Sequence, residues 1–338
     1  LAGEITAALA GTGPALGLGE VRSTSAPSKI ALVIGTSGTT GMSKEVAFTA
    51  SALLASARAS NKFLGAKAGQ QWSLFLPLTH IAAVNVIIRS MELGTLPIDL
   101  REHQGEYPKV DFTSIVPTQL FRALNSDERL LRHLQSAQAV LVGGAALSPA
   151  LSQQAVTAGI NVVETYGMTE TSGGCIYNGK AIEGVEYSLN DKSLVQIRGS
   201  VMSETYLNAP ELYTLIDGWF ITNDLGEIKD GKLHILGRAD DVIISGGENL
   251  SLTAIEATLS IRYPEIEFAA FAVNDIQWGH ALHLAVVGEI GESEIAHYLE
   301  AALGAASKPK GIHHLEQLPL LGIGKVDRIA LAKMVGHE

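Results

Sequence analysis

Short apolar runs separated by polar, glycine-containing breaks set the pattern of the first half of the chain. SKIALVIGT reads as a buried strand running straight into the polar loop GTSGTTGMSK at residues 35–44. EVAFTASALLASARASNKFLGA predicts a strand end and then an alanine-rich helix closed by Gly65. WSLFLPLTH predicts a strand ending in a proline-containing loop, with AAVNVIIRSMELG as the helix after it, and DFTSIVPTQLFRALN repeats strand, proline and helix. AQAVLVGGAAL and INVVETYGMTE are two more apolar runs, each ending in a glycine-containing turn. Strands alternating with helices, with polar residues at the strands' C-terminal ends, predict an α/β domain built on an open, mainly parallel sheet. Such sheets bind ligands in the crevice at those ends.

From about residue 184 the texture changes. VEYSLNDKSLVQIRGS, LYTLIDGWFITND and LGEIKDGKLHILG are short alternating runs with close turns, the mark of a small antiparallel part. Asp217–Gly218 and Asp230–Gly231 are tight-turn signals. After GRADD, SLTAIEATLSIRY predicts an amphipathic helix with a serine cap, and FAAFAVND and ALHLAVVGE predict strands. The expected division is a large domain over residues 1–239 and a small α+β domain over 240–338.

Composition narrows the class. Hydrophobic residues are 46% and charged residues 17% of the 338, an ordinary globular balance. No run approaches the ~18 uninterrupted apolar residues of a membrane-spanning helix. The opening LAGEITAALAGTG carries Glu4 and no Lys or Arg, a poor signal peptide, so a cytoplasmic protein is expected. Cys175 is the single cysteine, which rules out an internal disulfide and a multi-cysteine zinc cluster. A net charge of −11 disfavours nucleic acid as a partner but not anionic small ligands, which a few placed cations can hold.

The loop at 35–44 offers many hydroxyls and backbone N–H groups and no core-forming side chain, which suits an anion. A Walker A loop would need Lys directly after its second Gly. Here Met42 follows Gly41 and the lysine is Lys44. The dinucleotide fingerprint G-x-G-x-x-G and the hydrolase elbow G-x-S-x-G are absent from this region. On the loop alone, phosphate binding and a flexible surface turn both stand.

Further segments resolve that choice. TSGTTGMSK resembles the phosphate-gripping signature of the adenylate-forming enzymes (acyl- and aryl-CoA ligases, luciferases and peptide-synthetase adenylation domains), with Ser43 where proline is usual. VGGAAL, YGMTE, GWFITND, GRADDVIISGGENLS and GIGKVDR follow in that superfamily's order, so the ordered matches run from Thr36 to Arg328.

The resemblance implies site residues. Thr36, Ser37, Thr39, Thr40 and Lys44 would grip the β- and γ-phosphates of ATP, with Gly38 and Gly41 allowing the loop to move. Oriented hydroxyls and a lysine suit a departing pyrophosphate. Gly143, Gly144 and Ala145 would form the turn under adenine, Tyr166 would stack on the base and Thr169 would bind the α-phosphate. Glu170 would hold Mg²⁺, which normally sits on one carboxylate plus substrate phosphates. Asp224, supported by Arg238, would accept bonds from the ribose hydroxyls, and Lys325 would bridge the attacking carboxylate and the α-phosphate. Locally, the bland alternatives are an ordinary turn at 143–145, a helix-start acid at 170 and a turn aspartate at 224. Nothing in composition singles out Lys325. Asp240 falls at the superfamily's hinge, about which the mobile small domain turns between half-reactions. Gly246 and Gly247 would line the channel for the pantetheine thiol of CoA.

The short N-terminal region, with about 35 residues before the loop, and PLTHIAAVNVIIRS resemble the compact actinobacterial o-succinylbenzoate–CoA ligases of menaquinone biosynthesis. That substrate, an aromatic dicarboxylate, implies His80 and Arg89 near the acid, with Gly173 and Gly174 making room for the ring. Arg89 suits bidentate carboxylate pairing, or else simply ends its helix. Another aryl- or acyl-CoA ligase, or an enzyme loading a carrier protein, fits the same motifs, and a homodimer is common among such ligases.

Overall fold

The structure, a computed structural model, describes residues 1–36, 43–276, 278–320 and 326–335, the side chain of Asp240 excepted. Its centre is a seven-stranded sheet in the order Lys180–Ala181, Gly173–Tyr177, Val162–Met168, Ala139–Val142, Phe112–Ile115, Trp72–Leu74, Ile98–Asp99. Pairing is parallel from Val162–Met168 to Ile98–Asp99 and antiparallel across Gly173–Tyr177. The apolar runs from WSLFLPLTH to INVVETYGMTE are these parallel strands, continuous because both sheet faces are covered, whereas SKIALVIGT, expected in the same sheet, is not among them. The strand expected over WSLFLPLTH is only Trp72–Leu74, short of Pro77, which cannot donate to a ladder.

The phosphate-loop segment lies on a second sheet, of four strands: Leu16–Leu18, Ile30–Thr36, Lys44–Thr49 and Thr205–Tyr206. Ile30–Thr36 pairs antiparallel with Lys44–Thr49, so the loop joins two neighbouring strands of a hairpin. Lys44–Thr49 runs directly into the helix Ala50–Phe63, which Thr49 caps by accepting from the Ala52 amide at 3.2 Å.

The antiparallel part is a five-stranded sheet around the long strand Trp219–Lys229. Both Asp-Gly pairs form its two-residue turns, with φ of +50° and +80° at Asp217–Gly218 and +52° and +70° at Asp230–Gly231. Positive φ at both central residues is what a type I′ hairpin demands. A further sheet holds Val242–Ser245, Glu248–Ser251, Glu267–Asp275, Gly279–Val287 and Gly311–His314, with the helix Leu252–Arg262 capped by Ser251 as the sequence predicts. Among the described residues, the apolar clusters under this last sheet draw only on residues after 242, and the clusters of the other sheets only on residues up to 233. No helix among the described residues is long and apolar enough to cross a membrane.

One buried ring in the main body gives a pH expectation. His133 lies between Phe75 and Tyr107, with Nδ1 2.8 Å from the Pro108 carbonyl and Nε2 3.0 Å from Ser73 Oγ. Burial pushes its pKa below the usual 6.5. The unfolded chain takes up this proton first, so the site's contribution is full above about pH 6.5 and declines as pH falls towards the folded-state pKa. Melting temperature of the wild type should therefore drop more steeply between about pH 7 and 5 than that of His133→Phe. Parallel curves would show that the ring does not titrate in this range.

Candidate active site

The phosphate hairpin is closed by a cross-strand pair. Thr36 faces Lys44 in the ladder, and the Thr36 hydroxyl donates to the Lys44 carbonyl at 3.2 Å. Ser37, Gly38, Thr39, Thr40 and Gly41 lie outside the described residues. The returning strand is pinned from a segment that sequence reasoning missed. Asn208 accepts from the Glu45 amide at 2.9 Å and donates to the Ser43 carbonyl at 2.6 Å. Glu45 itself is buried, and amide donation from Arg22 and Ser23 holds its carboxyl below the usual range against the opposing effect of burial.

The strand Val162–Met168 carries the next group. Its neighbour Ala139–Val142 ends at Gly143, where a side chain would collide with the Thr165 hydroxyl, so glycine there is required by the adjoining strand whatever the turn binds. Gly144, at φ +83°, and Ala145 complete an exposed turn. Next along, the Tyr166 hydroxyl donates to Asp224 Oδ2 at 2.6 Å, and Arg238 Nη1 lies 3.4 Å from Oδ1 of the same carboxylate. Asp224 is 8% exposed, and its amide donates to Thr222 Oγ1 at 3.0 Å. Burial and the adjacent carboxylate push the Tyr166 phenol well above its ordinary value, so it stays a donor. Asp224 and Arg238 are paired across the antiparallel ladder, which accounts for this contact between residues distant in sequence.

Beyond Met168 the chain makes a single 3₁₀ turn, Thr169–Thr171. The half-buried Glu170 accepts from the Tyr206 hydroxyl at 2.6 Å. The Tyr206 ring in turn lies under Lys44, with Nζ 4.7 Å from its centroid. Burial, then the Glu170 charge, pushes the Tyr206 phenol upward as well. Two carboxylates thus flank the end of one strand, each taking a tyrosine hydroxyl, and the second is next to the phosphate hairpin. Among the described residues no group of three or more His, Cys, Asp or Glu side chains is placed to hold a metal ion. The donor set suits a cation that takes most of its ligands from phosphate and water.

The acid-side expectations divide. His80 precedes the helix Ile81–Glu92, half-buried, with Nδ1 3.0 Å from the Thr79 hydroxyl. A side chain at Gly19 would meet both the Gly35 and Thr79 carbonyls, which puts this turn beside the phosphate hairpin. One stripe of the helix, Ile81, Asn85 and Arg89 at four-residue spacing, runs along Gly173–Tyr177. Gly173, at φ +88°, meets the Asn85 amide so closely that a side chain would strike Nδ2. Gly174 is half-buried against Thr165 and Tyr177.

Arg89, expected to read a substrate carboxylate or simply end its helix, stands in the last turn of Ile81–Glu92. It is 4% exposed, donates to the Tyr177 hydroxyl at 3.0 Å and stacks 5.2 Å from the Trp72 ring centroid. The stripe carries it two turns away from His80, down into the core. Cys175 is fully buried, and burial pushes its thiol up to about 12, so it is not a reactive thiolate.

In the last sheet, Gly246 and Gly247, at φ +60° and +88°, turn the hairpin between Val242–Ser245 and Glu248–Ser251 against Trp278. Asp240 belongs to the short turn Ala239–Asp241 that precedes it. Lys325 lies outside the described residues. Three residues on, Arg328 donates to Glu256 at 2.8 Å and lies 3.6 Å from Asp241. Tyr206 and Asn208 escape sequence reasoning because the polar stretch SETYLNAPE around them carries no periodicity or motif that sets them apart.

Known proteins resemble the chain in sequence and in fold. The family described as AMP-binding enzyme matches residues 5–204. A Mycobacterium tuberculosis protein named "Probable 2-succinylbenzoate–CoA ligase" is 36% identical over 333 aligned residues, covering 91% of this chain and 85% of that protein. The o-succinylbenzoate CoA synthetase (MenE) of Bacillus subtilis, solved with the acyl-adenylate intermediate OSB-AMP, superposes with a TM-score of 0.75 at 25% identity, over 89% of this chain and 68% of that one. Wild-type E. coli MenE, with a bound m-phenylether-linked analogue of OSB-AMS, gives 0.70 at 27% identity, over 95% and 72%. With a family match across more than half its length and these relatives along nearly all of it, the chain belongs to the AMP-binding enzymes.

Proposed function

We propose that the chain is an o-succinylbenzoate–CoA ligase, an ATP-dependent, AMP-forming acid–thiol ligase. The observation that carries this is the pair of carboxylates, Asp224 and Glu170, flanking one strand end beside the phosphate hairpin, each engaged by a tyrosine. The 36% identity to a protein of that name supplies the acid.

In the first half-reaction the substrate carboxylate attacks the α-phosphorus of ATP, giving acyl-adenylate and pyrophosphate. Lys44 and Thr36, with Ser37, Thr39 and Thr40, grip the β- and γ-phosphates; Thr169 binds the α-phosphate. Asp224, held by Arg238, accepts from the ribose hydroxyls, while Gly143, Gly144, Ala145 and Tyr166 frame the base. Glu170 would hold Mg²⁺, whose charge offsets that of the triphosphate; a single half-buried carboxylate fits an ion ligated mainly by phosphates. Lys325 neutralises charge building between the two reactants.

In the second half-reaction the small domain, residues 240–338, turns about Asp240, and Gly246 and Gly247 line the path of the CoA thiol. The separation of apolar clusters on either side of that residue supports the boundary. His80 and Arg89, towards the two ends of the helix Ile81–Glu92, are what this segment offers the acid.

ATP–pyrophosphate exchange across a panel of acids tests the reading. Exchange should depend on o-succinylbenzoate, with benzoate and fatty acids near background. Strong exchange with those acids and none with o-succinylbenzoate would remove the substrate assignment and leave adenylation standing.

A further inference from the structure

A lysine and a carboxylate that face the same triphosphate should pair with each other whenever the nucleotide is absent, and would then have to be pulled apart when it arrives. That does not happen here. Among the described residues no ion pair within 4.0 Å joins Lys44 to Glu170. Between them is Tyr206, 2% exposed, which satisfies each group with a different part of itself. Its hydroxyl donates to Glu170 Oε1 at 2.6 Å, and its π face lies 4.7 Å from the Lys44 ammonium.

The spacer is itself held on every side. Thr205–Tyr206 pairs with Val46 and Ala47 of the phosphate hairpin, so the ring is in fixed register with Lys44. Asn208, two residues on, grips the Ser43 carbonyl and the Glu45 amide. Tyr213 packs edge-on at 5.2 Å and donates to the Ser203 carbonyl at 2.7 Å, while the Ser203 amide donates to the Glu170 carbonyl at 2.7 Å. The backbone of Glu170 and the ring that orients its side chain belong to one closed set of contacts.

We infer that Tyr206 is a positioning residue for adenylation, keeping Glu170 and Lys44 apart and aimed at opposite ends of the triphosphate site. The inference rests on the function proposed above. Preorganised charges need no rearrangement when ATP and its metal arrive. Hydrogen-bonded partners of a metal-binding carboxylate typically govern metal affinity tenfold or more.

The test is Tyr206→Phe, which keeps the ring and removes the hydroxyl. Mn²⁺ binding is read by electron paramagnetic resonance in the presence of a non-hydrolysable ATP analogue, and metal-free analogue binding by calorimetry. Mn²⁺ should bind about tenfold more weakly in the variant, with metal-free analogue affinity within about twofold of wild type. Unchanged Mn²⁺ affinity overturns the inference and leaves the proposed function intact. Equal weakening of both, with a lowered melting temperature, makes Tyr206 a mere scaffold residue and also overturns it. A wild-type protein that binds neither probe takes down both. Tyr206→Leu, if it folds, should in addition weaken the metal-free analogue, because Lys44 loses its ring; unchanged analogue affinity there would remove the lysine half of the inference.

Discussion

Lys325→Ala should slow acyl-adenylate formation by about 10²- to 10³-fold while leaving thioester formation from supplied acyl-adenylate within a few-fold of wild type. The magnitude is that of deleting one preorganised donor aimed at charge that develops in the transition state. Little of it should fall on KM, since the contact matters most when the carboxylate and α-phosphate are closest. Single-turnover measurements of each half-reaction separate the outcomes. Equal loss in both steps would show that the variant damages the domain that carries it, and the role assigned to Lys325 would fall. Arg328, three residues on, donates to the Ala270 carbonyl of the last sheet and to Glu256, contacts that the substitution leaves alone.

Asp224→Ala should have the second-largest effect, and on a different quantity. The buried carboxylate takes the Tyr166 hydroxyl and lies against Arg238, and the proposed role adds the ribose hydroxyls. Hydrogen bonds to charged groups contribute about 1.5–3 kcal/mol each, so losing those to ribose should raise the KM for ATP by roughly 10²-fold with a smaller change in kcat. Removing the carboxylate also takes the acceptor from the half-buried Tyr166 hydroxyl, which should lower the melting temperature. Asp224→Asn keeps the shape and should recover much of the stability but little of the affinity. If both variants bind ATP as wild type does, the ribose contact is wrong, whatever becomes of stability.

Local pattern reached the parallel strands, the Asp-Gly hairpins and the Ser251 cap, because each is decided by residues adjacent in the chain. The phosphate loop was legible as chemistry but not as a hairpin: the strand after it pairs backwards through Thr36 and Lys44, a long-range choice that composition does not encode. Arg89 stands in its helix's last turn as the sequence allows, but its burial was not legible, because a charged residue there normally faces water. Here Trp72 and Tyr177, brought from two other segments, give the guanidinium a stacking surface and an acceptor inside the core. Tyr206 was invisible for the same reason: its importance comes from Glu170, 36 positions earlier, and Lys44, much further back.

The separation of apolar clusters has a bearing on how the protein is made. Nothing among the described residues after 242 enters the clusters that stabilise the first 233. A ribosome adding about 5–20 residues per second finishes the body some 5–20 s before the final hundred residues are out. On the proposed roles, a nascent chain at that stage would already hold the tyrosine-bound carboxylates Asp224 and Glu170 and yet lack Lys325. Released then, such a chain would on those roles bind nucleotide without activating an acid.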